Sequence, residues 1–312
     1  MDLSQYTNAA LVESGGGSKG AYQIGAGEVL AEHGFKPKIF TGISVGAINA
    51  TLGAQVGLAE RGKRFWYTQE QERKWVRKKD IYKSFNKLKA GYRFLRDGGA
   101  LSNGPVHERI KKEIDPEAIQ RRRVVLEVGA VNLHTLQYKT FRPGDFHFKT
   151  GLLASTNVPA VVPPEEIRGQ LWADGGIRNL TPIGDALKYD PEFIVIIVLR
   201  PIDLSEPVDD IPRFAGFKGL GVIKRTTDAM SEEIAYEDLK QFLRLNEAAR
   251  LYEEATGQTL VIEGRPVRNV PFLLIQPEEN LGDGQDFSSE VLEQRYLQGR
   301  KDAETAIRQA GG

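Results

Sequence analysis

The chain has no cysteine in 312 residues, which together excludes a disulfide framework, a thiolate nucleophile and a cysteine-ligated metal. It also lacks any charge surplus: lysine plus arginine number 42, as do aspartate plus glutamate. Attraction to a charged partner must therefore be local. No apolar run approaches the roughly 18 residues of a membrane span, and Met1-Asp2-Leu3-Ser4-Gln5 has no basic stretch ahead of an apolar one. The expected location is cytoplasmic, with peripheral membrane contact as a further expectation. Histidine is scarce. The four present are His33, His107, His134 and His147, so none follows position 147. A hydrolase triad in the chain order serine, acid, histidine thus has no late histidine to use. None of the four sits in a glycine-bounded or small-residue context that would aim it.

What the chain does have is 33 glycines and a 40% hydrophobic content, enough for an ordinary core. Ala9 to Glu13 reads as a buried strand, Gly15 to Gly20 as a glycine loop, and Ala21 to about His33 as a helix stopped by Gly34. A strand from Ile39 to Ile43 and a helix led by Ser44 follow. This alternation predicts an α/β fold with a mainly parallel sheet and helices on its faces. Further strands are expected at Val124 to Val131, Leu136 to Phe141, Ile167 to Ala173, Phe193 to Leu199 and Pro271 to Ile275, with long helices at Ala229 to Glu254 and Ser289 to Gln309. Stretches at about 96 to 104 and 201 to 220 look irregular. One domain spanning 1–312 is expected, with a catalytic core at about 9–200, a basic and aromatic helical insertion at about 57–120 and a helical C-terminal extension at about 205–312.

Three short motifs carry chemistry. Gly42-Ile43-Ser44-Val45-Gly46 sets a small nucleophile between two glycines at a strand-to-helix turn, which pushes the hydroxyl clear of the backbone. On its own it is equally a structural bend. Gly15-Gly16-Gly17-Ser18-Lys19-Gly20 satisfies the dinucleotide fingerprint, but the second strand ends in Thr41-Gly42-Ile43-Ser44 with no acid for a ribose, and Glu32 comes too early. A P-loop would need lysine and a hydroxyl residue where Ala21 and Tyr22 stand. The other use of the loop is an oxyanion hole, since glycine N–H groups at a helix start favour developing negative charge. Trp172-Ala173-Asp174-Gly175-Gly176 puts a carboxylate at the end of an apolar strand before a sharp turn. In an open parallel sheet that end would share an edge with Ser44.

In this order and context the three motifs resemble those of the patatin-like phospholipases, from about Ala9 to Pro182. Ala154-Ser155-Thr156-Asn157-Val158-Pro159 is similar to the small-residue segment that this family places upstream of its Asp-Gly pair. The resemblance implies a three-layer patatin-like fold and a lipid acyl hydrolase of phospholipase A, lysophospholipase or carboxylesterase type. It further implies a Ser44–Asp174 dyad that works without histidine, metal or cofactor. Gly15, Gly16 and Gly17 would form the oxyanion hole, with the amides of Gly16 and Gly17 as its donors, while Gly20, Gly42, Gly46, Gly175 and Gly176 complete the motifs. Asp174 is expected to be desolvated and within hydrogen-bonding reach of Ser44, because a free aspartate is a poor base. Lys19 stands where arginine is more usual, and Asn157 is bulkier than the expected small residue. A catalytically silent lipid-binding or regulatory module with the same fold is the alternative.

From Arg73 to Arg96 ten lysines or arginines face the single acid Asp80, interleaved with Trp75, Tyr82, Phe85, Tyr92 and Phe94. The pattern suits an anionic membrane surface. A solvated face with its aromatics in the core, or a phosphate-and-stacking surface, would have the same composition. Phospholipid or another acyl-ester lipid is the expected partner, and nucleic acid is not.

Overall fold

The computed structural model describes residues 1–69, 74–202 and 220–311. Its centre is an eight-stranded sheet. The strands are β1 (Ala9–Glu13), β2 (Ile39–Gly42), β3 (Val125–Asn132), β4 (Tyr138–Phe141), β5 (Glu165–Ile167), β6 (Gln170–Asp174), β7 (Phe193–Ile197) and β8 (Phe272–Ile275). Their order is β8-β7-β1-β2-β3-β6-β5, with β4 also on β3. The five from β8 to β3 run parallel, and β4, β5 and β6 run antiparallel to their neighbours.

Alternation along the strands divides the core into two layers, as a sheet covered on both faces requires. Leu11, Phe193, Val195 and Ile197 face one cluster, which also holds Ala21 to Leu30 of helix α1 (Gly20–Glu32), Ala47 to Ala54 of α2 (Val45–Val56), and Tyr296 and Ile307 near the C-terminus. Ala10, Val12, Ile194, Ile196 and Val198 face the other, covered by Ile183, Ala186, Ala235, Leu239 and Phe242. The fold is a mostly parallel α/β sandwich of three layers.

The remaining helices used below are α3 (Lys87–Asp97), α4 (Gly104–Glu113), α5 (Phe148–Ser155), α6 (Leu220–Thr256) and α7 (Ser289–Gly311). The irregular stretch expected at 201 to 220 lies outside the described residues from 203 to 219, as does Arg73. The single strand expected from Ile167 to Ala173 is in fact a hairpin of β5 and β6. Arg168 and Gly169 turn it with φ of 55° and 72°, the left-handed pair that a tight two-residue hairpin needs.

Candidate functional site

Ser44 stands between β2 and α2 with φ 56° and ψ −125°, a conformation that costs a non-glycine residue free energy and persists only where its surroundings hold it. The flanking glycines are that support. A Cβ on Gly42 would lie 2.3 Å from the Gly46 carbonyl oxygen, and one on Gly46 would lie 2.2 Å from that of Glu13, so the turn closes only without side chains there. The Ser44 N–H donates to Ser155 Oγ at 3.0 Å from the end of α5. Ser44 itself is 6% exposed.

Asp174 reaches this turn by a route other than a parallel edge. Its strand, β6, is antiparallel to β3, and β3 extends beyond the end of β2. Gly42 pairs with Val128 and Asp174 pairs with Ala130, so both abut the same strand two positions apart. The shared-edge expectation is corrected accordingly: the long β3 carries the aspartate to the serine. The Asp174 N–H donates to the Asn157 carbonyl at 3.1 Å, and its Oδ1 accepts from the Gly176 N–H at 2.8 Å. Asp174 is 4% exposed, and burial raises its carboxyl to about 6 even though hydrogen bonds from Ser44 and Gly176 favour the ionised form. Tyr82, in the segment leading to α3, is pushed up to about 12 by burial and by the Asp174 charge. Its ring packs edge-on to Phe287.

The glycine loop lies across the serine: a Cβ on Gly15 would come within 3.1 Å of Ser44 Cβ. Its three leading glycines are not equivalent. The Gly15 N–H donates to the Leu180 carbonyl at 3.2 Å, which removes it from the set of open donors. Among the described residues, the amides of Gly16 and Gly17 have no such acceptor. Gly17 takes φ +62°, and a Cβ there would lie 2.3 Å from the Gly284 carbonyl oxygen. That carbonyl accepts from the Ser18 N–H at 2.7 Å. Arg295 of α7 secures the arrangement, donating to Ser18 Oγ at 2.7 Å and to the carbonyls of Leu281, Asp283 and Asp286. On the opposite side, Asp238 of α6 accepts from the N–H groups of Leu180 and Thr181 at 2.8 and 2.9 Å.

Beneath the site lies a buried polar network. Glu13 and Arg61, both fully buried, meet at 2.8 Å. Burial pushes the Glu13 carboxyl up to about 7 even though the Arg61 guanidinium favours its ionised form. Gln23 donates to the Ser14 carbonyl at 2.9 Å and Asn49 to the Gly20 carbonyl at 3.1 Å, so both ends of the glycine loop are held from below. Trp66 completes the set by donating to Asn49 Oδ1 at 2.7 Å. The histidines lie elsewhere: His33 meets Glu304, His134 accepts from the Leu171 N–H, His147 meets Arg168, and His107 Nε2 lies 3.4 Å from Glu165 without a hydrogen bond. Among the described residues no three His, Asp or Glu side chains are grouped to hold a metal ion.

Ser155, Asn157, Asp238, Gly284 and Arg295 all shape this region and were given no role from sequence. Only the small-residue run around Ser155 and Asn157 carried a signal. The others come from positions with no local motif.

The chain is an α/β protein whose sheet presents a strained serine turn to a buried carboxylate. The family model for patatin-like phospholipase matches residues 11–187, which include all three glycine motifs, and the chain belongs to that family. An uncharacterized NTE family protein of Mycobacterium bovis is 23% identical over 236 residues, 76% of this chain and 61% of the relative. Human patatin-like phospholipase domain-containing protein 4 is 30% identical over 177 residues, 54% of this chain and 64% of that protein. The chain thus matches less than two thirds of the length of either relative. Among solved structures, VipD from Legionella pneumophila aligns over 97% of this chain and 67% of its own, with 12% identity and a TM-score of 0.42.

Proposed function

We propose that this chain is a lipid acyl hydrolase in which Ser44 attacks an ester carbonyl and Asp174 accepts its proton. The observation that carries the proposal is the placement of the strained Ser44 turn beside a buried Asp174: Gly42 and Asp174 register two positions apart on β3, and the Asp174 carboxyl is raised to about 6. A carboxylate with that value is a better base near neutrality than a free aspartate, and its orientation is set by the Gly176 amide. The amides of Gly16 and Gly17 would bind the tetrahedral oxyanion, at about 3 to 4 kcal/mol per well-placed donor. Gly15 would shape the loop. Attack forms an acyl-enzyme and releases the alcohol, and water then releases the fatty acid. Family membership supports phospholipid or a related acyl ester as substrate. We assign residues 9–200 to the catalytic core, with the 57–120 insertion and the C-terminal helices bracing it. Among the described residues no helix is long and apolar enough to cross a membrane.

A fluorophosphonate probe tests the nucleophile directly. Labelling of the folded protein at Ser44, mapped by peptide mass spectrometry, is the expected result. Folded protein that takes up no label would instead favour the silent lipid-binding module.

The pH profile tests the base. Asp174 must be ionised to accept the proton, and its carboxyl is held at about 6, so kcat/KM should rise with pH along a single acid limb centred near 6. A profile already flat from pH about 4 upward would mean that the base is an ordinary exposed carboxylate.

A further inference from the structure

Helix α3 is amphipathic in the wrong sense for a helix packed on its own protein. Its half-buried face carries Ala90, Arg93, Phe94 and Asp97, with Arg93 paired to Asp97 at 3.5 Å and laid over the Phe85 ring. At about 100° per residue, Leu88, Tyr92 and Leu95 fall on one stripe of the opposite face. They are 88%, 61% and 85% exposed. Gly91 lies on the same stripe with open space around it. Exposed Lys89 and Arg96 flank the stripe, and the Arg96 guanidinium sits over the Tyr92 ring at 5.4 Å. The aromatics of the basic segment therefore divide: Trp75 is in the core at 4% exposure, and Tyr92 faces outward.

We propose that α3 is an interfacial docking helix that lays its Leu88–Tyr92–Leu95 stripe into the headgroup region of an anionic phospholipid bilayer. Apolar side chains at the centre of a helix face, an aromatic ring among them and cations alongside match the depth profile of that region. The charge is complementary as well, with ten lysines or arginines and one acid between Arg73 and Arg96 in a chain of zero net charge. A second copy of the chain fits less well, because a two-fold contact through this patch would set like charges against each other. Nucleic acid fits less well because Leu88 and Leu95 offer neither a stacking ring nor a phosphate contact.

The helix is fastened to the site at both ends. Before it, Tyr82 lies within the field of Asp174, and Lys83 exchanges backbone hydrogen bonds with Ser102 at 2.8 and 3.0 Å. After it, the N–H groups of Ala100 and Leu101 donate to Ala160 and Val161 at 3.2 and 2.8 Å. That strip follows Asn157, which holds the Asp174 amide. Docking α3 would set this wall of the site against the lipid surface, a consequence that rests on the hydrolase proposal, whereas the docking does not.

Flotation with vesicles tests the docking without any turnover. The Ser44→Ala protein is mixed with vesicles of phosphatidylcholine, with or without phosphatidylglycerol, at low and high salt. Binding to the mixed vesicles, weakened by salt, is expected. Leu88→Ser/Tyr92→Ser/Leu95→Ser should lower the bound fraction about tenfold or more, and Lys89→Glu/Arg96→Glu should remove the preference for phosphatidylglycerol. The three stripe residues are exposed, so the first variant should unfold at the parent's urea midpoint, which separates lost docking from lost fold. A parent protein that floats with neither vesicle, or a triple variant that floats like the parent, would overturn the proposal. So would a parent dimer in sedimentation that the triple substitution dissolves, since the stripe would then be covered by a second copy. Fluorophosphonate labelling remains the separate test of the hydrolase.

Discussion

Under the proposed mechanism Ser44→Ala should lower ester turnover about 10⁴-fold or more while the protein stays folded. The loss is expected to be that large because, in the proposed mechanism, the Ser44 hydroxyl is the atom that forms the covalent bond. Folding should survive because alanine fits wherever serine does, and the Ser44 amide keeps its bond to Ser155 Oγ. Asp174→Asn is the companion test. The amide oxygen can still accept from the Gly176 N–H, so the shape of the turn is retained while the basicity is lost. A fall of about 10⁴-fold is expected here too, the size of loss that follows when the carboxylate of a Ser-His-Asp triad is converted to its amide. Because the two residues act as a unit, the double variant should be little worse than either single one. Turnover within tenfold of the parent in either variant would remove that residue from the mechanism.

Arg61→Met should destabilise the protein by about 3 to 5 kcal/mol, read as a lowered urea midpoint at unchanged m-value. Arg61 supplies both hydrogen bonds to the Glu13 carboxylate, at 2.8 Å each. It also donates to the carbonyls of Gln23 and Asn49. Removing it leaves a buried acid without either of those hydrogen bonds and without its cation. Glu13→Leu/Arg61→Met should recover much of the loss, since an apolar pair of similar volume carries no desolvation penalty. The two outcomes together distinguish an unpaired charge from a simple cavity. A full-cost double variant would mean that the guanidinium matters mainly as a brace for α1 and α2. Catalysis should suffer as well, because the Glu13 carbonyl accepts the Ile43 N–H at 3.3 Å immediately before Ser44.

The fold was largely legible because its strands are short, apolar and separated by helices. Ala9–Glu13, Ile39–Gly42 and Phe193–Ile197 are buried along their whole length and, Glu13 and Thr41 apart, read as apolar runs. The hairpin at Arg168–Gly169 was missed because its turn interrupts one apolar stretch without a strong Asn-Gly or Asp-Gly signal. The segment 73–96 was ambiguous for a different reason. Composition states that cations and aromatic rings alternate, but only the packing of α3 decides which side faces out.

The sequence by itself marked where the sharp turns of the site fall. Small residues and glycines at Gly42, Ser44 and Gly46, and at Gly175 and Gly176 after Asp174, permit such turns, while the strained Ser44 conformation is held by its neighbours in the fold. The scarcity of histidine was equally plain and turned attention from a triad to a carboxylate. Tertiary structure alone decided that Asp174 meets Ser44, because the meeting depends on how far β3 outruns β2 and on an antiparallel return by β6. It also separated the Gly15 amide, committed to Leu180, from those of Gly16 and Gly17. Hydrogen-bond partners 165 residues apart cannot be read from spacing. They exist only once the sheet has brought distant loops to the same end of its strands.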